Sequence, residues 1–326
     1  MLLKDTQEIQ GYFSAIDNDY NFPSLESFIR DAESDIVIPE ISRELFDLLQ
    51  EHYNNNTLDG RLKELHALLQ KAIVHLALFL SSDSGSFRIS DSGYYVVVTG
   101  DMRPVSDKKM VVFRRGRIEA GYKALDQAIA YLEQYVSDPA FDLYRTSEVR
   151  AEATNYFIPS SKAFTRCFSP LKNSSTTYRA MLSSIDQAEN TYILPLLGED
   201  LFEELKAAVL EGSLSDDQKR LVTRIQKPLA LYAVAEAIPM VNFDYDGKSL
   251  SVTNLAATGE NTETTTSLST ERLSELMNAC MMNGQNEGRR LKSFLEKNAA
   301  LYPNYVPSLS SEGFNFNSQG SGIFFL

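Results

Sequence analysis

AESDIVIPEISRELFDLL (Ala32–Leu49) and AENTYILPLLGEDLFEEL (Ala188–Leu205) are two versions of one pattern, A-E-x5-P-x5-L-F-x2-L. Working outward, residues 32–77 and 188–233 align at a constant offset of 156 without a gap. Twelve of those 46 pairs are identical, where composition alone gives roughly three. Ala32, Glu33, Pro39, Leu45, Phe46 and Leu49 answer to Ala188, Glu189, Pro195, Leu201, Phe202 and Leu205, and further on Gln70, Lys71 and Ala77 answer to Gln226, Lys227 and Ala233. Duplication on this scale predicts two copies of one module, with function carried by surfaces rather than by one asymmetric pocket.

Each copy opens with a short helix, predicted over residues 6–16 and 161–171. In the helix that follows, Leu25, Phe28, Ile29, Ala32 and Ile36 fall on one face, and Met181, Ile185, Ala188 and Tyr192 repeat it. Pro39 and Pro195 are expected to interrupt that helix, because proline lacks the backbone donor and clashes one turn back. Ser42 or Gly198 then restarts the chain into a third helix. A long helix over 61–80 or 218–237 is apolar nearly all round and is expected at the centre of each copy, with Pro228 kinking the second. Glu33 and Glu189 sit at the margin of the buried face, where a capping or inter-helix hydrogen bond accounts for them.

After the long helix each copy changes to a two-residue period. Phe87, Ile89, Tyr94, Val96 and Val98 flank Asp91-Ser92-Gly93, and Phe243, Tyr245, Leu250 and Val252 flank Asp246-Gly247. Both stretches read as β-hairpins with tight turns. The expected fold is therefore mainly α with β-hairpins (α+β), a tandem duplication in which each copy carries one hairpin after its long central helix. Residues 1–150 form the first repeat, with its hairpin near 86–98, and 151–302 the second, with its hairpin near 242–253. A closing helix over 118–132 or 269–301 completes each copy, the second reached through a Ser/Thr-rich loop at 258–270. Residues 303–326 are an extended tail, aromatic and nearly uncharged, suited to folding back on its own copy or to adding a strand to a neighbour. The candidate interaction residues are Tyr94, Tyr95 and Tyr245 on the hairpins and Phe314, Phe316, Ile323, Phe324, Phe325 and Leu326 on the tail.

The 326 residues carry a net charge of −13, which argues against a surface built to hold nucleic acid. One basic cluster, Lys108, Lys109, Arg114, Arg115 and Arg117, reads as a solvated helix start. No stretch is apolar for about 18 residues, so no membrane span is expected, and the opening MLLKDTQEIQ lacks the pattern of a secretory signal. Cys167 and Cys280 read as free thiols. His66 and His75 lie nine residues apart on opposite faces of one helix and read, like His52, as ordinary surface or boundary residues. No catalytic set, cofactor site or metal site is expected.

LLKDTQEIQGYF (Leu2–Phe13), SFIRDAESDIVIPEIS (Ser27–Ser42) and its echo SSIDQAENTYILPLLG (Ser183–Gly198) carry a resemblance to an uncharacterised duplicated family from prophages and phages of gut bacteria. More distantly, each copy resembles the small helical head–tail connector (adaptor) proteins of tailed phages, which open with a short helix and place an Ala-Glu pair in the second. The duplication, Pro39, Pro195 and the hairpins depart from the connector pattern. The resemblance implies a non-enzymatic virion protein, cytoplasmic at synthesis and then at the capsid–tail junction. Its implied partners are further copies of itself, assembled into a ring, and the portal and tail proteins. The competing expectation is a soluble two-domain module that binds a ligand or a protein between its copies.

Overall fold

The computed structural model describes residues 1–17, 21–84, 87–90, 93–96, 107–245, 248–252 and 262–306. Copy one contains α1 (Thr6–Tyr12), α2 (Pro23–Asp31), α3 (Ile38–Ile41), α4 (Arg43–Asn54), α5 (Gly60–Ser84) and α6 (Asp107–Gln134). Two short helices, α7 (Asp142–Arg145) and α8 (Glu148–Thr154), lead into copy two. There the order repeats as α9 (Ser161–Cys167), α10 (Ser175–Ala180), α11 (Leu182–Ala188), α12 (Leu194–Leu197), α13 (Glu199–Glu211), α14 (Asp216–Ala237) and α15 (Thr262–Lys297). Buried apolar side chains gather into two clusters, one running from Leu2 to Tyr144 and the other from Ala153 to Tyr305.

The class is all-α, which corrects the α+β expectation: the structure is 78% helical and, among the described residues, has no sheet layer. Phe87–Ser90 faces Gly93–Val96, and Phe243–Tyr245 faces Leu250–Val252, each an isolated antiparallel pair. Pairs of three or four residues a side cannot cover a core. That work falls to helices, above all α5 and α14. Leu65, Leu69, Ala72, Ile73, Val74, Leu76 and Ala77 of α5 are fully buried. By length and mean hydropathy (1.3), residues 60–82 would pass as a membrane span, but they serve as the core helix of copy one, which is why they are apolar all round. The helix α14 runs unbroken through Pro228.

Each core helix is crossed at close range by the last helix of its copy, α6 on α5 and α15 on α14. Glycine makes the approach possible. A Cβ at Gly121 would lie 2.7 Å from Leu76 Cγ, and one at Gly284 would lie 2.9 Å from the Tyr232 ring. Leu76 and Tyr232 are repeat partners at offset 156, so Gly121 and Gly284 correspond at offset 163. The helix ends Gln134 and Lys297 keep that same offset. The Ser/Thr-rich stretch expected as a loop is helical from Thr262 onward.

The prolines do not stop the helix where the sequence suggests. A π-helical turn precedes each, over Ala32–Val37 and Glu189–Ile193, closed by the Ile38 N–H on the Glu33 carbonyl and the Leu194 N–H on the Glu189 carbonyl. Widening the turn makes room for the ring that would otherwise meet the carbonyl one turn back. The helix continues to Ile41 or Leu197 and ends at Ser42 (φ 79°, ψ 150°) or Gly198 (φ 81°, ψ 155°).

Candidate functional site

The two π-turns put the duplicated glutamates inside, not at the margin: Glu33 is 4% exposed and Glu189 1%. Glu33 Oε1 accepts the Leu2 N–H at 2.6 Å, while Gln70 Nε2 donates to the Leu2 carbonyl at 2.7 Å. In copy two Glu189 Oε1 accepts the Phe157 N–H at 2.7 Å, and Gln226 Nε2 donates to the Phe157 carbonyl at 2.8 Å. A glutamate from the π-turn and a glutamine from the core helix thus hold the backbone of the segment that leads into each copy. Burial raises the pKa of both carboxyls. The accepted N–H groups pull against that, as do the Met1 amine beside Glu33 and the Lys206 ammonium paired with Glu189.

The histidines are also interior. His66 and His75 are 5% and 6% exposed, which corrects the surface assignment. His66 lies against the Tyr53 ring at 4.5 Å, and His75 Nδ1 is 3.2 Å from Arg117. Burial, reinforced by neighbouring cations, pushes both pKa values down to about 4, so both rings are neutral near pH 7. The basic cluster is not simply solvated. Arg114 lies over Phe79 at 5.5 Å, and Arg117 lies over Phe13 and Phe113 at 4.7 and 5.6 Å. Arg115 is exposed beside Glu119.

The most unusual set of charges sits where the copies meet. Copy one contributes Glu40 of α3 and Asp126 of α6, and copy two contributes α10 with Thr176 and Arg179. Asp126 Oδ1 accepts the Thr176 N–H at 2.9 Å. Arg179 Nε lies 3.0 Å from Glu40 Oε2, with the two side chains 11% and 19% exposed. The contact is close enough for an ion pair but is not aligned as a hydrogen bond, and that oxygen accepts none. Arg179 donates instead to the Val149 carbonyl and to Tyr144 Oη, both at 3.3 Å. Tyr144 in turn donates to Glu133 at 2.8 Å, and Glu133 also takes Arg150 at 3.2 Å. Burial, opposed by Arg179 and assisted by Asp126, raises Glu40 to about 7. Burial also raises Asp126, against the donors that hold it. Arg179 of copy two faces Glu40 and the Thr176 N–H of copy two is held by Asp126, so the set fastens one copy to the other.

Of the residues picked from sequence, Tyr245 is half-buried and packs against the core of copy two. The backbones of Tyr94 and Tyr95 pair with Ile89 and Arg88, and their side chains lie outside the described residues. Phe314, Phe316, Ile323, Phe324, Phe325 and Leu326 lie outside them entirely. The described start of the tail lies on its own copy: Tyr302 and Tyr305 are buried, with Tyr302 Oη donating to the Asp217 carbonyl at 3.1 Å and Asn304 Nδ2 to Glu204 at 2.8 Å. Sequence reasoning missed Glu40, Asp126 and Arg179. A signal was present, because Glu40 aligns with Leu196: a charge against an apolar residue inside a repeat marks a place where the copies have different surroundings. Among the described residues, no group of three or more His, Cys, Asp or Glu is placed to hold a metal ion.

No curated protein and no solved structure matches the chain. DUF6712, a family of unknown function, matches residues 38–154 and again residues 193–315. The two matches fall one on each copy, and the chain belongs to that family, as an internal duplication of its module.

Proposed function

We propose that this chain is a non-enzymatic structural subunit of a phage or prophage virion, a head–tail connector that assembles with further copies of itself into a ring at the neck. The observation that carries the reading is the junction. Two copies of one module are fastened side by side through different faces by the largely buried Glu40–Arg179 ion pair and the Thr176–Asp126 hydrogen bond. Such a head-to-tail contact suits a building block, since it can be continued from one subunit to the next. A net charge of −13 fits a wall past which DNA slides without sticking. The setting in a virion rests on the resemblance of the repeated block, and the partners it implies are portal and tail proteins. The hairpin tyrosines and the aromatic tail are further candidate contacts in this reading.

Light scattering of the purified chain over a concentration series tests the assembly. A defined oligomer many times the 36.6 kDa chain is the expected result. Phe324→Asp with Phe325→Asp tests the share of the tail, and an unchanged mass removes the tail from the contact. The setting is tested in phage particles: peptides of this chain are expected in purified virions, and deletion of its gene should give heads and tails that fail to join. Complete virions without the chain would refute the connector reading.

A further inference from the structure

The junction of the copies holds two carboxyls and one guanidinium, and its surroundings treat the two carboxyls differently. Asp126 of α6 reaches across to α10. There the N–H groups of Thr176 (2.9 Å) and Ser175 and the hydroxyls of Ser174 and Thr176 are turned toward it and favour its charge. Glu40 of α3 has no such donors. Its Oε2 is buried and accepts no hydrogen bond among the described residues. Arg179, at 3.0 Å, aligns its N–H groups with the Val149 carbonyl and Tyr144 instead. Two carboxyls that feel each other in a largely buried contact, one supplied with donors and one without, hold protons unequally. Asp126 keeps its charge and Glu40 takes the proton. Leu196 fills the position of Glu40 in copy two, so the module folds without a carboxyl there, and Glu40 serves the contact between the copies.

We propose that Glu40 is a proton-operated catch between the two copies: with its proton it lets α10 of copy two close on α3 and α6 of copy one, and without it α10 comes away. The charges decide the direction. Arg179 balances one carboxylate, and Glu133 and Arg150 nearby pair with each other. With Glu40 protonated, Asp126 and Arg179 therefore leave the contact neutral. With Glu40 ionised, one uncompensated negative charge remains in a contact that water screens poorly. Among the described residues, the other charged groups on the elements around α3 are held elsewhere or screened. The π-turn brings Glu33, held by the Leu2 N–H, and exposed Asp35, and α8 brings Arg150 and exposed Glu148 and Glu152. Arg43, Glu44 and Asp47 of α4 are exposed, as are Lys123 of α6 and Lys172 before α10. Burial, assisted by Asp126 and opposed by Arg179, raises Glu40 to about 7, so the catch opens as pH climbs through neutrality. The inference concerns the contact within one chain and does not rest on the assembly proposed above.

Hydrogen exchange of the full chain tests it, read by mass spectrometry between about pH 5.5 and about pH 8.5 and corrected for the chemical exchange rate. The readout is the protection of the amides of α10 beside those of α5 and α14. A carboxyl that binds its proton more tightly in the closed contact stabilises closure at low pH, and that stabilisation is lost as pH rises through about 7. Opening returns Glu40 to water and to its ordinary 4.5, so protection of α10 is expected to fall by roughly thirtyfold across that range. It should stay below that of α5 and α14 at every pH, because the catch opens without unfolding the cores. Glu40→Gln keeps the shape and cannot ionise, and its α10 protection should not change with pH. Asp126→Asn removes the like charge and should move the midpoint to lower pH, a shift that a purely structural role would not produce. Protection of α10 that is independent of pH in the wild-type chain, or equal to that of the cores, overturns the inference. So does a pH dependence that survives Glu40→Gln, or a midpoint that Asp126→Asn leaves in place.

Discussion

Glu40→Gln removes one titrating carboxyl from the junction and leaves a side chain of nearly the same shape. Burial moves that carboxyl from its ordinary 4.5 to about 7. At 1.36 kcal/mol per tenfold change in proton affinity this is about 3 kcal/mol, trimmed by water reaching a side chain that is 19% exposed. The direction follows from which form the fold prefers. A raised carboxyl binds its proton more tightly in the folded chain, so its contribution is fully present below about pH 4.5 and is lost as pH rises through about 7. The wild-type chain therefore loses about 3 kcal/mol through Glu40 between about pH 5 and pH 8, and Glu40→Gln does not. Urea unfolding of both proteins at the two pH values measures this as a difference of differences, in which groups not coupled to Glu40 cancel. Asp126 is the coupled exception, and Asp126→Asn in both backgrounds removes it. The stability of Glu40→Gln relative to wild type should rise by about 3 kcal/mol from the lower pH to the higher. A relative stability that changes by less than about 0.5 kcal/mol would refute the claim that Glu40 is held in the junction as a desolvated acid.

Glu189→Ala strands the buried Phe157 N–H and the Lys206 ammonium together, and urea unfolding should show a loss of about 3–5 kcal/mol. Glu189→Gln, which keeps an acceptor for the N–H, should lose clearly less. Ser42 holds φ 79°, ψ 150°, where copy two has Gly198, and its hydroxyl caps the Leu45 N–H at 3.3 Å. Relief of about 1–3 kcal/mol of backbone strain outweighs a few tenths lost from the cap, so Ser42→Gly should raise the thermal midpoint. Gly121→Ala places a methyl 2.7 Å from Leu76 Cγ and 3.3 Å from the Leu76 backbone nitrogen. The backbone cannot yield as a side-chain tip can, so a loss of about 1–3 kcal/mol is expected in calorimetry.

Much of the architecture is legible without coordinates, because it is written in local spacing. The offset of 156 marks the two copies. The helical faces name Leu25, Ile29, Ala32, Met181, Ile185 and Ala188, all buried, with Phe28 half-buried beside them, and the all-round apolar pattern of α5 marks a central helix. The identities Glu33/Glu189 and Gln70/Gln226 include the residues of the backbone clamps, but their spacing placed the glutamates at the margin and gave the glutamines no role. The clamped residues correspond at offset 155 (Leu2 and Phe157), one residue out of register with the block, so the gapless alignment did not reach them. The alternating patterns pointed to α+β, but such a pattern reports a local extended run and says nothing of whether a sheet layer exists to cover a core. The π-turns escape because a proline has the same spelling whether a helix stops or widens around it.

What the sequence by itself determined is the two copies, marked by a constant offset, their core helices, set by residues a few positions apart, and the overall charge balance. Only the tertiary structure decided that Glu40 and Asp126 would meet Arg179 and Thr176 across 139 and 50 residues of chain. It likewise decided that Glu33 and Glu189 would lie inside. Those outcomes depend on how two finished modules dock, and docking is chosen by the shape and charge of whole surfaces, which the chain signals only where its repeats differ, as at Glu40 against Leu196.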